Sequence, residues 1–348
     1  LALCTSNLSD PEIALPGDYF NTVLYTGDGN SSRAITGVGF QPDFTWLKQR
    51  SATRSNGAFD SVRGAGRPLY TDNTSAEDAY DVETLESFDS DGITIGDANL
   101  VNFNTGTYVG WNWLGDGVAG GTLNEDGTLD SQVNVNTTAG FSIVTYSGND
   151  TTGATVGHGL SEAPNLIIAK KTDGAGDWAV FSSPVGNTKF LLLNTTDDEA
   201  TNADYWDNTS PGTSVFTLGD TSNVNGLKDY VAYCFHSVEG YSKIGSYEGN
   251  LNVDGTFVYT GFKPTYILIK SIDTDVKWQV LGYYPPYNPL DKSLAPNSNA
   301  AEVTPGTPHA DMVSNGFKLR NTGTDKNAVV TYLYYAVAES PFKYANAR

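Results

Sequence analysis

Pro42-Asp-Phe-Thr-Trp-Leu-Lys48 decides the fold, because it returns as Pro164-Asn-Leu-Ile-Ile-Ala-Lys170 and Pro264-Thr-Tyr-Ile-Leu-Ile-Lys270. Proline and lysine keep the same offsets, 122 residues and then 100. Each copy is short and rich in β-branched and aromatic residues. Each opens on a residue that cannot donate to a ladder, which reads as a strand entered from a turn. Trp46, Ile168 and Leu268 share one register position and are expected in equivalent buried places. Lys48, Lys170 and Lys270 are expected to end their strands with the stem covered and the ammonium snorkelling to water.

The repetition extends outward from this segment. Upstream stand Tyr25-Thr-Gly27, Tyr146-Ser-Gly148 and Tyr247-Glu-Gly249. Downstream come a turn-like stretch (72–77, 194–199, 297–302) and a short alternating strand (92–95, 215–218, 316–319). An aromatic-rich closing strand follows: Tyr108-Val-Gly-Trp-Asn-Trp113, Tyr230-Val-Ala-Tyr-Cys-Phe235 and Tyr332-Leu-Tyr-Tyr-Ala-Val337. No stretch holds a 3.6-residue period beyond about two turns. Self-similarity at this spacing marks tandem modules. The expectation is an all-β chain of three tandem antiparallel β-sandwich modules, lectin- or jelly-roll-like, over 19–118, 140–243 and 244–348. Residues 1–18 read as a leader or the tail of a preceding domain, and 119–139 as a Gly/Asn-rich linker. With almost no sequence between the second and third repeats, those two should be rigidly coupled and the first more loosely.

Composition narrows the partners. In 348 residues, 40 acidic side chains face 20 basic ones, for a net charge of −20. Phosphate backbones and anionic membranes would be repelled, so neither nucleic acid nor membrane insertion is expected. No apolar run approaches the length of a spanning helix. Two cysteines make no disulfide framework, and Cys234, inside an apolar run, reads as a small buried hydrophobe. The chain opens Leu1-Ala-Leu-Cys4 without Met and reads as a fragment of a longer polypeptide.

Chemical motifs are few. Gly115-Asp-Gly-Val-Ala-Gly120 fits G-x-G-x-x-G, but a turn follows it instead of a helix, so nothing would hold a pyrophosphate. His158, His236 and His309 occupy different places in their repeats. Asp89 and Asp91 form a D-x-D-G turn of the kind found in calcium loops, yet the other repeats carry Thr213-Ser214 and Ser314-Asn315 there, so a plain turn is favoured. No cofactor is expected beyond calcium at that turn. Asn250-Leu-Asn-Val-Asp-Gly255 starts like an EF-hand loop but has Gly261 where the bidentate Glu belongs. Carboxylate pairs are too common here to indicate a glycosidase.

The functional signal is aromatic. Tyr205 and Trp206, and Tyr283, Tyr284 and Tyr287 around Pro285-Pro286, sit in loop-like clusters among Asn and Asp. Such rings can stack on sugars or pack against subunits. The third repeat departs most from the pattern and is where a specific contact is expected.

Ile35-Thr-Gly-Val-Gly-Phe-Gln-Pro-Asp-Phe-Thr-Trp-Leu-Lys48, Phe59-Asp-Ser-Val-Arg-Gly64, Ser87-Phe-Asp-Ser-Asp-Gly-Ile-Thr-Ile95 and the chain end Ala338-Glu-Ser-Pro-Phe-Lys-Tyr-Ala-Asn-Ala-Arg348 resemble a repeat-containing family of tail-fiber or receptor-binding proteins. These belong to tailed bacteriophages, especially marine and cyanobacterial ones. The resemblance covers residues 19–348. It implies a virion-surface, extracellular protein without catalysis, a homo-oligomer within the phage particle, that binds a host-cell surface glycan or protein. The alternatives weighed beside it are a structural spacer, filament or decoration protein, and a polysaccharide depolymerase.

Overall fold

The computed structural model describes residues 8, 10–283, 288–304 and 306–345. Strands make up 41% of the chain and helix 3%, in antiparallel sheets, so the fold is all-β and sandwich-like. The first repeat contributes β1 (Phe20–Thr26), β2 (Arg33–Thr36), β3 (Phe44–Gln49), β4 (Asn56–Asp60), β5 (Leu69–Tyr70), β6 (Leu85–Asp89), β7 (Gly92–Ile95), a one-turn helix α1 (Asn99–Asn102) and β8 (Thr107–Trp113). The next segment gives β9 (Thr122–Asn124), β10 (Ser131–Asn136), β11 (Phe141–Ser147), β12 (Ala154–Gly157), β13 (Leu166–Lys171), β14 (Trp178–Ser182), β15 (Lys189–Leu192), β16 (Ala200–Thr201), α2 (Ala203–Trp206), β17 (Val215–Leu218) and β18 (Asp229–Phe235). The last gives β19 (Ser242–Glu248), β20 (Phe257–Tyr259), β21 (Phe262–Ser271), β22 (Gln279–Leu281), β23 (Ala310–Val313), β24 (Gly316–Leu319) and β25 (Thr331–Pro341).

The repeats share one topology. Their large sheets contain the same run: β1-β8-β3-β4, β11-β18-β13-β14 and β19-β25-β21-β22. Each faces a small sheet: β2-β7-β6, β12-β17 and β20-β24-β23. The recurring segment is the third strand of that run, registered identically on the closing strand: Trp46 opposite Trp111, Ile168 opposite Tyr233, Leu268 opposite Tyr335.

The tyrosine–glycine motif has a packing cause. Tyr25 stacks on Tyr108, Tyr146 on Tyr230 and Tyr247 on Tyr332, with ring centroids 5.0, 5.2 and 5.1 Å apart. Two residues on, the chain runs against the loop before the closing strand. A Cβ on Gly27, Gly148 or Gly249 would lie 2.2, 2.2 and 2.0 Å from a backbone carbonyl oxygen of that loop. Only glycine fits such an approach.

Both faces of the large sheets are buried. One face of each packs on its own small sheet, as with Leu47 against Ile35 and Ile93 in the first repeat, or Ile267 against Val258 and Phe317 in the third. The opposite faces meet one another in a single cluster that draws on all three repeats and includes Trp46, Ile168 and Leu268, all buried as expected. Phe44 stacks on Tyr233 at 4.2 Å, Phe235 packs on Tyr335 at 5.0 Å, and Trp113 meets Tyr266 edge-on at 5.7 Å. Every pair of repeats is thus in contact. The modules close into a ring around one core, and the first is held as firmly as the others.

The three lysines lock this ring, contrary to the snorkelling expectation. All three are fully buried. Lys170 Nζ donates to Thr74 O in the first repeat at 3.2 Å, Lys270 Nζ to Thr196 O in the second at 2.8 Å, and Lys48 Nζ to Asn299 O in the third at 2.9 Å. Each also donates to a carbonyl six residues on in its own repeat: Arg54, Gly176 or Val276. Beside them, Glu77 N bonds Thr172 O at 2.8 Å, Glu199 N bonds Ile272 O at 3.0 Å and Glu302 N bonds Arg50 O at 2.8 Å. Burial pushes all three ammonium groups down to about 8. Each ammonium thus bonds carbonyls on both sides of a seam; Thr74 O and Asn299 O accept the amides of Gly176 and Arg54 as well.

Residues 119–139 are likewise more than a linker. They supply β9 and β10, which extend the second repeat's large sheet beyond β11. The same segment is pinned to the first repeat through the buried Asp43, which accepts from Asn134 Nδ2 at 2.8 Å, Gly115 N at 2.8 Å and Gly117 N at 3.1 Å. The amides of the G-x-G sequence are therefore spent on the protein's own carboxylate.

Candidate functional site

The aromatic residues singled out in the sequence lie inside the protein wherever they are described. Tyr283 is 2% exposed. Its hydroxyl donates to Glu302 Oε2 at 3.0 Å, and its ring meets Trp111 edge-on at 5.8 Å and lies beneath the Arg50 guanidinium at 5.9 Å. It thereby packs the third repeat against the first, and burial and the nearby Glu302 push its hydroxyl pKa well up. Tyr284 and Tyr287 lie outside the described residues. Tyr205 and Trp206 form α2, which starts where the Asn202 side chain accepts from Asp204 N at 3.0 Å. Tyr205 stacks on Phe190 at 3.7 Å and Trp206 packs edge-on against Phe181 at 5.9 Å. At 6% and 1% exposure neither ring can meet a ligand. The rings fold inward because the seams and sandwich interiors offer them apolar cover.

Asp89 serves its own hairpin and Asp91 the loop that follows β2. Asp89 accepts from Ser87 Oγ at 2.8 Å and Thr94 Oγ1 at 2.7 Å, and Asp91 from the amides of Gly37 at 3.2 Å and Gly39 at 2.7 Å. Among the described residues no three His, Cys, Asp or Glu side chains converge as a metal site. Cys234 is buried with a thiol pushed well up by desolvation, which suits a core hydrophobe.

The aromatic surface is elsewhere, on the outward side of the third repeat's small sheet. Strand alternation turns Val258 into the sandwich and leaves Phe257 and Tyr259 45% and 56% exposed. The sibling strands are an internal control. Val258 pairs with Phe317 as Ile35 pairs with Ile93 and Val156 with Phe216. The neighbours of these residues along the strand are the exposed Ala34 and Thr36 in the first repeat, and Thr155 and Gly157 in the second, where Gly157 is buried against Asn124. Only the third repeat carries rings there.

Hydrogen-bonding groups surround those rings. Lys318 lies opposite Phe257 and Gly316 opposite Tyr259, while Asp311 lies opposite Lys318 on the next strand. Lys318 pairs with Asp254 at 2.8 Å and Arg320 with Asp311 at 2.5 Å. The hydrogen bond from Lys318 holds the Asp254 carboxyl below the usual range. Lys243 lies 5.2 Å over the Tyr259 ring. Two rings two residues apart on one strand stand about 7 Å from each other. With charged donors and acceptors at their rim, they present a surface suited to stacking on and hydrogen-bonding a polyhydroxylated ligand. The sequence held the signal in Phe257-Val-Tyr259, visible once the repeats are aligned strand by strand; searching for clustered loop aromatics passes over two separated by a core valine.

The chain belongs to the family described as a domain of unknown function, DUF7483, whose match spans residues 15–341. No curated protein matches it.

Proposed function

We propose that this member of the DUF7483 family is a non-catalytic recognition protein of a phage virion surface, a tail fibre or similar, that binds a host surface glycan through the third repeat. The observation that carries the reading is the exposed Phe257–Tyr259 pair, present at positions where the sibling repeats have Ala, Thr and Gly. A shared fold does not require rings there, since the first repeat builds the same three-stranded sheet without them. The virion setting is supported by the resemblance to phage tail-fibre proteins. The test is adsorption of the protein to host cells and to their purified surface polysaccharide. Replacing Phe257 and Tyr259 together by Ser should abolish binding while the melting temperature changes little, because both rings are about half exposed and lie outside the sandwich core. Undiminished adsorption by that variant would remove the basis of the proposal.

A further inference from the structure

The three seams are built to one plan but filled differently. At each, a glutamate amide bonds the carbonyl two residues beyond the seam lysine: Glu302 that of Arg50, Glu77 that of Thr172 and Glu199 that of Ile272. The side chains at those three places diverge. Arg50 reaches Glu302 with Nε and Nη2, at 2.7 and 3.2 Å. Ile272 is buried in the shared core. Thr172 is short, and Glu77 is held instead by Arg63 and Arg67 of its own repeat, at 2.6 and 2.9 Å. Beside Thr172 the seam opens into a cleft of about 430 Å³.

The walls follow from strand alternation. On the second repeat's large sheet, the face that turns Phe141, Ile143 and Val231 toward the ring core ends in Thr145 and Asp229, with Gln132 opposite Thr145 on β10. These polar ends and Asp130 line the cleft together with Arg63 and Arg67 of the first repeat. The side chains of Gln132 and Thr145 have no protein hydrogen-bond partner among the described residues. Arg67, its side chain 43% exposed, spends one nitrogen on Glu77. Arg63 is buried and saturated by Asp60, Glu77 and the carbonyls of Arg67 and Ala58, so it fixes Glu77 in place.

We propose that this cleft binds a neutral saccharide of one or two rings. The charges decide the class: Glu77, Asp130 and Asp229 disfavour an anion, Arg63 and Arg67 disfavour a cation, and the lining is too polar for an apolar molecule. Sugar hydroxyls both donate and accept. They can give protons to Asp130 and Asp229 and take them from Arg67, Gln132 and Thr145. The volume falls within the range of small-molecule sites, about 300–1,000 Å³. The site belongs to the first two repeats and does not rest on the Phe257–Tyr259 face of the third.

Saturation-transfer NMR on the full chain tests this. The probes are neutral mono- and disaccharides of glucose, galactose, mannose and N-acetylglucosamine, with glucuronate and glucosamine as charged counterparts. The background carries Phe257→Ser and Tyr259→Ser, which silences the third repeat's face. At least one neutral sugar should show saturable transfer there. Thr172→Ile, which copies Ile272 into the cleft, should weaken its binding by about tenfold or more. Arg67→Ala should do the same with the melting temperature nearly unchanged, since Glu77 keeps Arg63, and it keeps the test decisive if Thr172→Ile disturbs the seam. No transfer from any neutral sugar, preference for a charged counterpart, or binding indifferent to both substitutions would overturn the proposal. A sugar that binds the unaltered chain but not the double-Ser background would also overturn it, while leaving the reading of the third repeat intact.

Discussion

Lys170 of the second repeat donates its ammonium to the backbone carbonyl of Thr74 in the first, 96 residues away in sequence and 3.2 Å away in space. The same bond recurs from Lys270 to Thr196 and from Lys48 to Asn299. Three copies of one contact, each reaching into the preceding repeat and the last closing on the first, turn a tandem array into a ring.

Breaking one link should therefore weaken the whole molecule. Lys170→Met keeps the stem packed but leaves Gly176 O without its donor, while Thr74 O keeps the amide of Gly176 at 2.9 Å. That should cost about 1–3 kcal/mol, the range for a buried acceptor left unsatisfied. Denaturant unfolding should stay a single transition with a lower midpoint.

The same lysines set a pH response. Their folded values lie near 8, against 10.5 for an exposed lysine. Between those values the unfolded chain binds more protons than the folded one, so stability rises with pH from about 8 to about 10. The slope is bounded at about 1.4 kcal/mol per pH unit for each lysine. Above pH 10 the trend reverses, because Tyr233, Tyr241 and Tyr266 are held protonated by burial while their unfolded counterparts ionise. At the acid end, burial pushes His309 down to about 4, so stability falls as pH drops from 6.5 toward 4. Urea midpoints measured from pH 4 to 11 check all three limbs, and Lys170→Met should flatten the rise between 8 and 10.

Gly148→Ala should be severely destabilising, by about 3 kcal/mol or more, since its Cβ would sit 2.2 Å from Gly226 O. Gly186→Ala, with nothing within 4 Å of its Cβ, is the matched control for a glycine whose cost is backbone strain alone, its φ being +89°. Calorimetry of the two variants separates crowding from conformational cost.

Tyr283→Ser should lower stability by about 3–5 kcal/mol, the cost of emptying an aromatic site in a core. Tyr283→Phe, which loses only the hydrogen bond to Glu302, should cost about 1 kcal/mol. A ligand-binding tyrosine would show neither effect.

Strand content, repeat register and the buried places of Trp46, Ile168 and Leu268 were legible in the sequence because period-two alternation and a thrice-repeated motif fix which side of a strand faces inward. The ring was not. Alternation describes a strand with one wet face, whereas these sheets bury both, and nothing local distinguishes a residue facing its own small sheet from one facing another repeat. The lysines escape notice for the same reason, since a lysine ending an apolar strand reads as a surface residue until its cross-seam acceptors, 74 to 251 residues distant, are in place. Tyr205, Trp206 and Tyr283 read as exposed because their neighbours are polar, yet each finds an aromatic partner outside its own loop, in Phe190, Phe181 and Trp111. Residues 119–139 read as a linker because Gly and Asn dominate, although Gln132-Val-Asn-Val135 carries the alternation of the strand it forms.

The claim on which the account rests is that the three repeats share one core, and solution scattering measures it most directly. A compact chain of this length has a radius of gyration of about 20 Å. Three 100-residue modules strung end to end, about 30 Å apart, would give about 28 Å. The account predicts a value near 20 Å that rises only when the chain unfolds; a value near 28 Å under native conditions would contradict it.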